Sequence, residues 1–140
     1  MTQSIREVMT YQPVTVPATA SITDAARVMR DEGIGDVIVM RDRVVAGILT
    51  DRDIAVRAVA DDLDPQHMEV ETICSSDLIT LRPTDEIEDA LSTMRHRALR
   101  RLPVVADDGR PVGIVSLGDL AVARDPESAL AYISAEPANT

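Results

Sequence analysis

Two copies of one short motif are the parts of this sequence best suited to bind a ligand. The first copy, Gly-Ile-Leu-Thr-Asp-Arg-Asp, begins at residue 47, and the second, Gly-Ile-Val-Ser-Leu-Gly-Asp, begins at residue 113. Thr50 and Ser116 could hydrogen-bond a phosphate or a sugar through their hydroxyl groups. Asp53 and Asp119 could accept two hydrogen bonds from the vicinal hydroxyls of a ribose. The pattern therefore indicates a nucleotide-like ligand.

Each motif lies where an apolar run ends and a helical pattern begins. The backbone N–H groups at a helix start have no helical partners and the helix dipole is positive there, so an anion is favoured. The same Ser/Thr-x-x-Asp spacing also forms an ordinary capping box, in which the side chains bond only to the helix backbone. A purely structural role for both motifs stays open.

The second candidate feature is a cluster of arginines. Four of the fourteen arginines lie between residues 95 and 101 of an otherwise acidic chain. We expect Arg95 and Arg97 to face solvent or to pair with acids such as Glu88. Arg100 and Arg101 precede a buried strand, and a guanidinium binds phosphate in a planar, bidentate way. A salt bridge to acidic residues of the connector is the alternative role for these two.

The first half has no matching phosphate clamp. Gly35 and Asp36 stand where the second half has two arginines. Arg52 is the residue that could substitute. We therefore expect two binding grooves that are not equivalent.

The other reactive side chains are isolated. His67 lies in an acidic connector and His96 among arginines, and neither is paired with a nucleophile in the sequence. No set of residues has metal-ligand spacing. The single cysteine, Cys74, fits a small buried residue. We predict no catalytic residue, no metal and no required cofactor, and we expect that the protein is not an enzyme.

Composition excludes several classes of protein. The 140 residues carry a net charge of −10, which disfavours nucleic acid and anionic membranes. Hydrophobic residues make up 45%, as in a globular protein, but no run is long enough to span a membrane. One cysteine cannot form an internal disulfide, and the N-terminus lacks the apolar core of a secretion signal, so we predict a cytoplasmic location.

The chain contains a repeat. The same residue type recurs 65 positions later for Thr15, Thr19, Ile22, Asp24, Ala25, Met29 and Arg30. After one inserted residue, it recurs 66 positions later for Gly47, Ile48, Asp53, Ala55 and Val56. Ordered matches on both sides of one insertion indicate a duplicated unit.

Each unit is predicted to have the order β-α-β-β-α, an α/β (α+β) fold. The first strand is placed at residues 14–16 and 79–81, and the last helix starts at Thr50 or Ser116. We assign residues 1–66 to the first unit, 67–125 to the second and 126–140 to a weakly ordered tail. Residues 61–72 are interpreted as the connector. A unit of this size buries too little surface alone, so we expect the two to pack about a pseudo-twofold axis with ligand grooves between them.

The two units resemble a tandem pair of cystathionine-β-synthase-type (CBS) domains, also called a Bateman module. The resemblance rests on both motifs and on the run Arg100-Arg101-Leu102-Pro103-Val104-Val105, and it covers residues 5–124. The longer stretch from Gly47 to Ala60, followed by Leu63-Asp64-Pro65, is similar to small stand-alone bacterial pairs of the hypoxic-response type.

The resemblance implies an adenosine-containing ligand: AMP, ADP, ATP, S-adenosylmethionine or a dinucleotide. It implies that hydroxyl and acidic residues contact ribose and phosphate (Thr50, Asp53, Ser116, Asp119), that Arg100 and Arg101 contact phosphates, and that other residues contact or enclose adenine (Thr15, Thr80, Ile38, Pro103). Because the chain has no Phe or Trp, the adenine would lie between aliphatic side chains. The resemblance also implies a homodimer of two pairs.

Our leading hypothesis is a non-enzymatic adenine-nucleotide sensor that acts in trans on a protein partner. One alternative is an interaction module with empty grooves, and another is a sensor of S-adenosylmethionine or NAD. A small hydrolase or transferase lacks a visible nucleophile and base. Nucleic-acid binding is the hypothesis that the charge favours least.

Overall fold

The computed structural model describes residues 3–74 and 78–135, and within them it contains two three-stranded sheets. The strands are β1 (Thr10–Tyr11), β2 (Thr15–Pro17), β3 (Asp36–Arg41), β4 (Val44–Thr50), β5 (Arg101–Val105) and β6 (Pro111–Ser116). The helices are α1 (Ile22–Glu32), α2 (Asp51–Asp53, which continues as a π-helix over Ile54–Val59), α3 (Ile87–Arg97), α4 (Leu117–Arg124) and α5 (Ala129–Ala135). The α/β class is confirmed. None of these helices is both long and apolar enough to cross a membrane.

The chain divides into two compact units. The first-repeat unit comprises Pro13–Leu78, and the second-repeat unit comprises the residues up to Gln12 together with those from Ile79 onward. The predicted boundaries were 1–66, 67–125 and 126–140. In this division the first-repeat unit begins and ends twelve residues later than predicted, and the C-terminal residues belong to the second-repeat unit.

The first-repeat unit has the strand order β2-β3-β4, with β2 parallel and β4 antiparallel to β3. Its core forms where one face of the sheet meets α1, and the buried residues there include Ile22, Ala25, Met29, Val37, Val39 and Leu49. Alternate residues of a strand point to the same face, so Val37 and Val39 both reach this core. The predicted helix and the two strands that follow it are present in this unit.

The segment predicted as a connector is part of the first-repeat unit. Val70 and Ile73 are buried in its core, on and just after a short 3₁₀ turn over Val70–Thr72. The N–H of Ile22 donates to the carbonyl of Met68 at 3.0 Å, so this segment supplies a partner for the start of α1. The acidic composition correctly indicated surface turns at 61–67. It did not indicate that Val70 and Ile73, which follow, are buried in the core.

The second-repeat unit has the strand order β1-β6-β5, in which both pairs are antiparallel. Its core contains Ile87, Ala90, Met94, Leu102, Val104, Val115 and Leu120. The predicted strand at residues 79–81 is wrong in extent, because only Leu81 makes a bridge, to Val104. Pro83 follows closely and a turn joins Asp85 N to Arg82 O at 3.0 Å, so the chain leaves the sheet.

The N-terminal segment packs in the second-repeat unit, whereas the predicted boundary placed it in the first. Ile5 is fully buried in that core, and its N–H donates to the carbonyl of Asp85 at 2.8 Å. Strand β1 then pairs with β6, with Thr10 opposite Ile114 and Tyr11 opposite Gly113. The partners of this segment, Asp85 and β6, lie far away in the sequence, so local patterns could not show which unit contains it.

The predicted tail contains a seven-residue helix, α5, which packs against α4. Ala131 is buried, and the Ser128 hydroxyl accepts a hydrogen bond from its N–H at 3.0 Å. Residues 129–135 therefore form a capped helix within the segment that was predicted to be weakly ordered. The remainder of the predicted tail, 136–140, lies outside the described residues.

Helices α1 and α3 end in the same left-handed conformation with different residues. Gly33 has φ +67° and Ala98 has φ +54°. In both cases the next N–H bonds back to the helix, from Ile34 to the Met29 carbonyl and from Leu99 to the Met94 carbonyl, each at 3.0 Å. An alanine in this conformation carries a steric cost that glycine does not.

The matched pair Ala98→Gly and Gly33→Ala tests this difference. We expect Ala98→Gly to stabilise the protein by about 0.5–1 kcal/mol, because relief of the left-handed strain exceeds the added backbone entropy of the unfolded chain. Gly33→Ala should destabilise it by a similar amount, as nothing lies within 4 Å of the added carbon to compensate. Urea denaturation measures both changes, and a loss of stability in Ala98→Gly would contradict the interpretation.

Gly113→Ala tests the packing of the N-terminal segment on β6. A Cβ at Gly113 would lie 2.6 Å from Met9 Sδ and 2.8 Å from Thr10 O, and a main-chain atom cannot rotate away. We expect a loss of about 1–3 kcal/mol of stability and faster hydrogen exchange at residues 5–11. Unchanged exchange in that segment would show that it does not pack against Gly113.

Candidate functional site

Both motifs form reciprocal capping boxes of nearly identical geometry. The N–H of Thr50 donates to Asp53 Oδ2 at 2.9 Å, and the N–H of Asp53 donates to Thr50 Oγ1 at 3.1 Å. The corresponding distances between Ser116 and Asp119 are 2.9 Å and 3.0 Å. Each motif therefore caps its helix. One carboxylate oxygen of each aspartate is not used by the cap, and each hydroxyl keeps its own hydrogen as a donor.

The sheet register places several predicted contact residues on the face opposite each core. In the first-repeat unit Thr15 pairs with Ile38, Ile38 with Ile48, and Asp36 with Thr50. Residues opposite each other across strands share a face, as do residues two apart along a strand. Val37 and Val39, between them, face the core. The predicted adenine and sugar contacts of this unit therefore share one surface.

The second-repeat unit repeats this arrangement. Arg101 pairs with Ser116 and Pro103 with Ile114. The N–H of Leu81 donates to the carbonyl of Pro103 at 2.9 Å, so the preceding Thr80 lies beside that proline. Pro103 itself is less than 2% exposed, and Ile38 in the other unit is fully buried.

The two units differ in the charge opposite the motif hydroxyl. Asp36 pairs with Thr50 across β3 and β4, whereas Arg101 pairs with Ser116 across β5 and β6. Directly opposed residues in such a pair lie about 5 Å apart at Cβ. Asp36 is also 93% buried, being only 7% exposed. A phosphate at the motif therefore meets an acidic neighbour in the first-repeat unit and a basic one in the second.

The other arginines that the sequence singled out lie on the surface. Arg100 is exposed, and its carbonyl accepts a hydrogen bond from Leu117 N at 2.8 Å, which places it beside the second motif. Arg52 is exposed on α2. Arg95 and Arg97 are exposed, as expected, and Glu88 pairs with Arg124 of α4.

Arg57 is a charged contact of the first motif that the sequence reasoning missed. Its Nη1 donates to the carbonyl of Ile73 at 3.0 Å, and its Nε lies 3.8 Å from Asp53 Oδ1. The second unit has Ala123 at the equivalent position. The i, i+4 spacing from Asp53 to Arg57 is a sequence signal that could have found this pair.

Helix α5 covers part of the second motif. A Cβ at Gly118 would lie 2.8 Å from Ser134 Cβ and 3.6 Å from Ser116 Oγ. Only a residue without a side chain permits α5 to approach this closely. The glycine in the variable part of the motif, where the first copy has Arg52, is the sequence signal of this contact.

A separate cavity of about 390 Å³ lies between α3 and α4 of the second-repeat unit. Its lining includes Leu91, Leu99, Leu117 and the paired Glu88 and Arg124, and none of the predicted ligand residues borders it. Within the described part of the chain, no group of three His, Cys, Asp or Glu side chains is arranged to hold a metal ion. Burial raises the pKa of the Cys74 thiol, which keeps it protonated at neutral pH.

The duplicated fold and motifs match a known protein family. A CBS domain family model matches residues 5–59 and 70–125. The chain therefore belongs to the CBS domain family, and its two matches account for the two repeats.

Individual relatives agree with this assignment. The CBS domain-containing protein YhcV of Bacillus subtilis is 41% identical over 119 residues, which cover 85% of this chain and 84% of that protein. The crystal structure of Hypoxic Response Protein I with two coordinated zinc ions is similar with a TM-score of 0.78 and 30% identity, over 85% of this chain and 97% of that one.

A third similarity concerns the fold alone. The CBS domain pair of protein MJ0100, in complex with 5′-methylthioadenosine and S-adenosyl-L-methionine, has a TM-score of 0.81 at 23% identity. The match covers 91% of this chain and 100% of that one.

Substitutions at Asp119 separate the cap from any other role of this carboxylate. Asp119→Ala removes the acceptor of the Ser116 N–H and should cost about 0.5–2 kcal/mol of stability. Asp119→Asn keeps an oxygen acceptor and should cost less. Urea denaturation compares the two, and unchanged stability in Asp119→Ala would show that the hydrogen bond to Ser116 contributes nothing to stability.

Proposed function

We propose that this CBS pair is a regulatory module that binds an adenosine-containing ligand, of the AMP, ADP or ATP class, at the motif of the second-repeat unit. The observation that carries the proposal is the grouping of Arg101, Ser116 and Asp119 at the junction of β6 and α4. This grouping offers a cation, a hydroxyl donor and a carboxylate to one ligand. In the first motif Asp36, and not a cation, stands opposite the hydroxyl.

Asp119 is suited to bind the ribose. The Oδ2 atom of Asp119 accepts a hydrogen bond from the Ser116 N–H at 2.9 Å, which fixes the side chain in position. The other oxygen, Oδ1, can accept hydrogen bonds from a vicinal diol. Hydrogen bonds to an ionised acceptor are about twice as strong as neutral ones, so this contact favours a ribose over a sugar without the diol.

The phosphate fits the start of α4. The helix dipole is positive there and the Ser116 hydroxyl can donate its hydrogen, while Arg101 stands opposite Ser116 in the sheet. Arg100 is exposed next to Arg101 and can add a second guanidinium for a di- or triphosphate. In the first-repeat unit Arg52 is exposed on α2, but Asp36 lies opposite the hydroxyl and repels a phosphate.

The adenine would contact the aliphatic Pro103 and the polar Thr80. The equivalent residues of the first-repeat unit are Ile38 and Thr15. Pro103 lies on the same face as Arg101 and is less than 2% exposed. An adenine that contacts Pro103 must therefore displace whatever covers it. A ligand signals only if it binds one conformation of the protein more tightly than another. The displacement of the groups that cover Pro103 would supply this difference in affinity.

The regulatory role is supported by membership of the CBS family, whose YhcV relative spans a similar length. The complex of the MJ0100 pair with two adenosine compounds supports the ligand class. We further propose that the protein works as a homodimer of two CBS pairs in the cytoplasm and passes its signal to a protein partner.

Thermal denaturation with AMP, ADP, ATP, NAD, S-adenosylmethionine and 5′-methylthioadenosine tests the proposal. A ligand present at about 100 times its Kd should add roughly 2.7 kcal/mol to the stability. We expect Asp119→Asn to reduce affinity at least about tenfold, a loss of about 1.4 kcal/mol, because a neutral acceptor replaces a charged one.

Asp24→Asn is the matched control for this substitution. Asp24 occupies the same position in the cap of α1, where its N–H donates to Ser21 Oγ at 3.0 Å, but it lies outside both motifs. It should leave binding unchanged. No stabilisation of the wild-type protein by any of the six compounds would overturn the proposal and favour an interaction module.

A further inference from the structure

We infer that Arg57 closes the first motif to a ribose, so that each chain binds one adenosine ligand, at Asp119, and not two. The inference rests on the proposed function and concerns a residue that distinguishes the two copies. It explains why the first motif would bind no ribose although it has both the hydroxyl of Thr50 and the carboxylate of Asp53.

Arg57 is held in place from two sides. Its Nη1 donates to the carbonyl of Ile73 at 3.0 Å, which joins the π-helix to the end of the 70–73 segment. Its Nε lies 3.8 Å from Asp53 Oδ1, on the carboxylate oxygen that the cap does not use. The Asp53 side chain is 17% exposed and the Arg57 side chain 49%, so solvent screens the carboxylate less than the guanidinium.

Both oxygens of Asp53 are therefore engaged. Oδ2 accepts the N–H of Thr50 at 2.9 Å, and Oδ1 faces the guanidinium. A ribose diol would have to replace a charged partner with neutral hydroxyls, which form weaker hydrogen bonds to a carboxylate. It would also have to move a guanidinium that the Ile73 carbonyl retains.

The second motif lacks this obstacle. Ala123 occupies the position equivalent to Arg57, on a helix of regular α geometry. Among residues 3–74 and 78–135, Asp119 Oδ1 has no hydrogen-bond or ionic partner. The two aspartates share the same cap, and Asp119 has no counterpart of Arg57, so the available carboxylate is that of Asp119.

The experiment moves the arginine from one motif to the other. Isothermal titration with adenosine is suitable, because adenosine has the ribose diol but no phosphate for Asp36 to repel. We expect one equivalent per chain for the wild-type protein and two for Arg57→Ala. Arg57→Gln, which retains a donor for the Ile73 carbonyl, provides a second variant if Arg57→Ala does not fold.

The reverse substitution, Ala123→Arg, should weaken binding to Asp119 at least about tenfold relative to Ala123→Gln, a control of similar length without charge. Asp53→Asn should leave the wild-type affinity and stoichiometry unchanged. Binding of only one equivalent to Arg57→Ala and Arg57→Gln, or loss of binding in Asp53→Asn, would overturn this inference and leave the proposed function standing. Absence of adenosine binding to both the wild-type protein and Arg57→Ala would overturn this inference, whereas the proposed function is overturned only if none of the six compounds tested above stabilises the wild-type protein.

Discussion

The register of the two hairpins, β3–β4 and β5–β6, is the constraint on which the rest of each unit depends. It sets Asp36 opposite Thr50 and Arg101 opposite Ser116, at the point where the second strand of each hairpin ends and a helix begins. Because side chains alternate between faces, the same register sends Val37 or Leu102 into the core. A shift of one residue would exchange the core face and the site face together.

The capping boxes extend this constraint into the helices. Their hydrogen bonds orient each motif aspartate and at the same time leave one of its oxygens outside the cap. A structural and a binding role are therefore compatible in one residue. The two copies differ through their neighbours, since Asp36 and Arg57 stand in one unit where Arg101 and Ala123 stand in the other. Duplication preserved the scaffold, while single charged residues distinguish the sites.

Much of the fold could be predicted because its signals are local or repeated. The order β-α-β-β-α and the helix starts after Thr50 and Ser116 depend on neighbours a few residues away, and the helices and hairpin strands are present in both units. The two capping boxes were also predicted from residue type and spacing, and both are present. What could not be predicted depends on distant partners. Ile5 is buried by residues about 80 positions later, and Ser134 contacts Gly118 only because α5 folds back on α4.

The sequence by itself determined that there are two units, that each begins its last helix with a hydroxyl and an aspartate, and that only one has arginines before the strand. These properties depend on residue type and spacing, which the duplication makes visible. Only the tertiary structure decided which unit contains the N-terminal segment and which carboxylate oxygen meets a cation. Both depend on contacts made after the chain has folded, such as Arg57 reaching the Ile73 carbonyl, and no local pattern specifies a partner sixteen residues away.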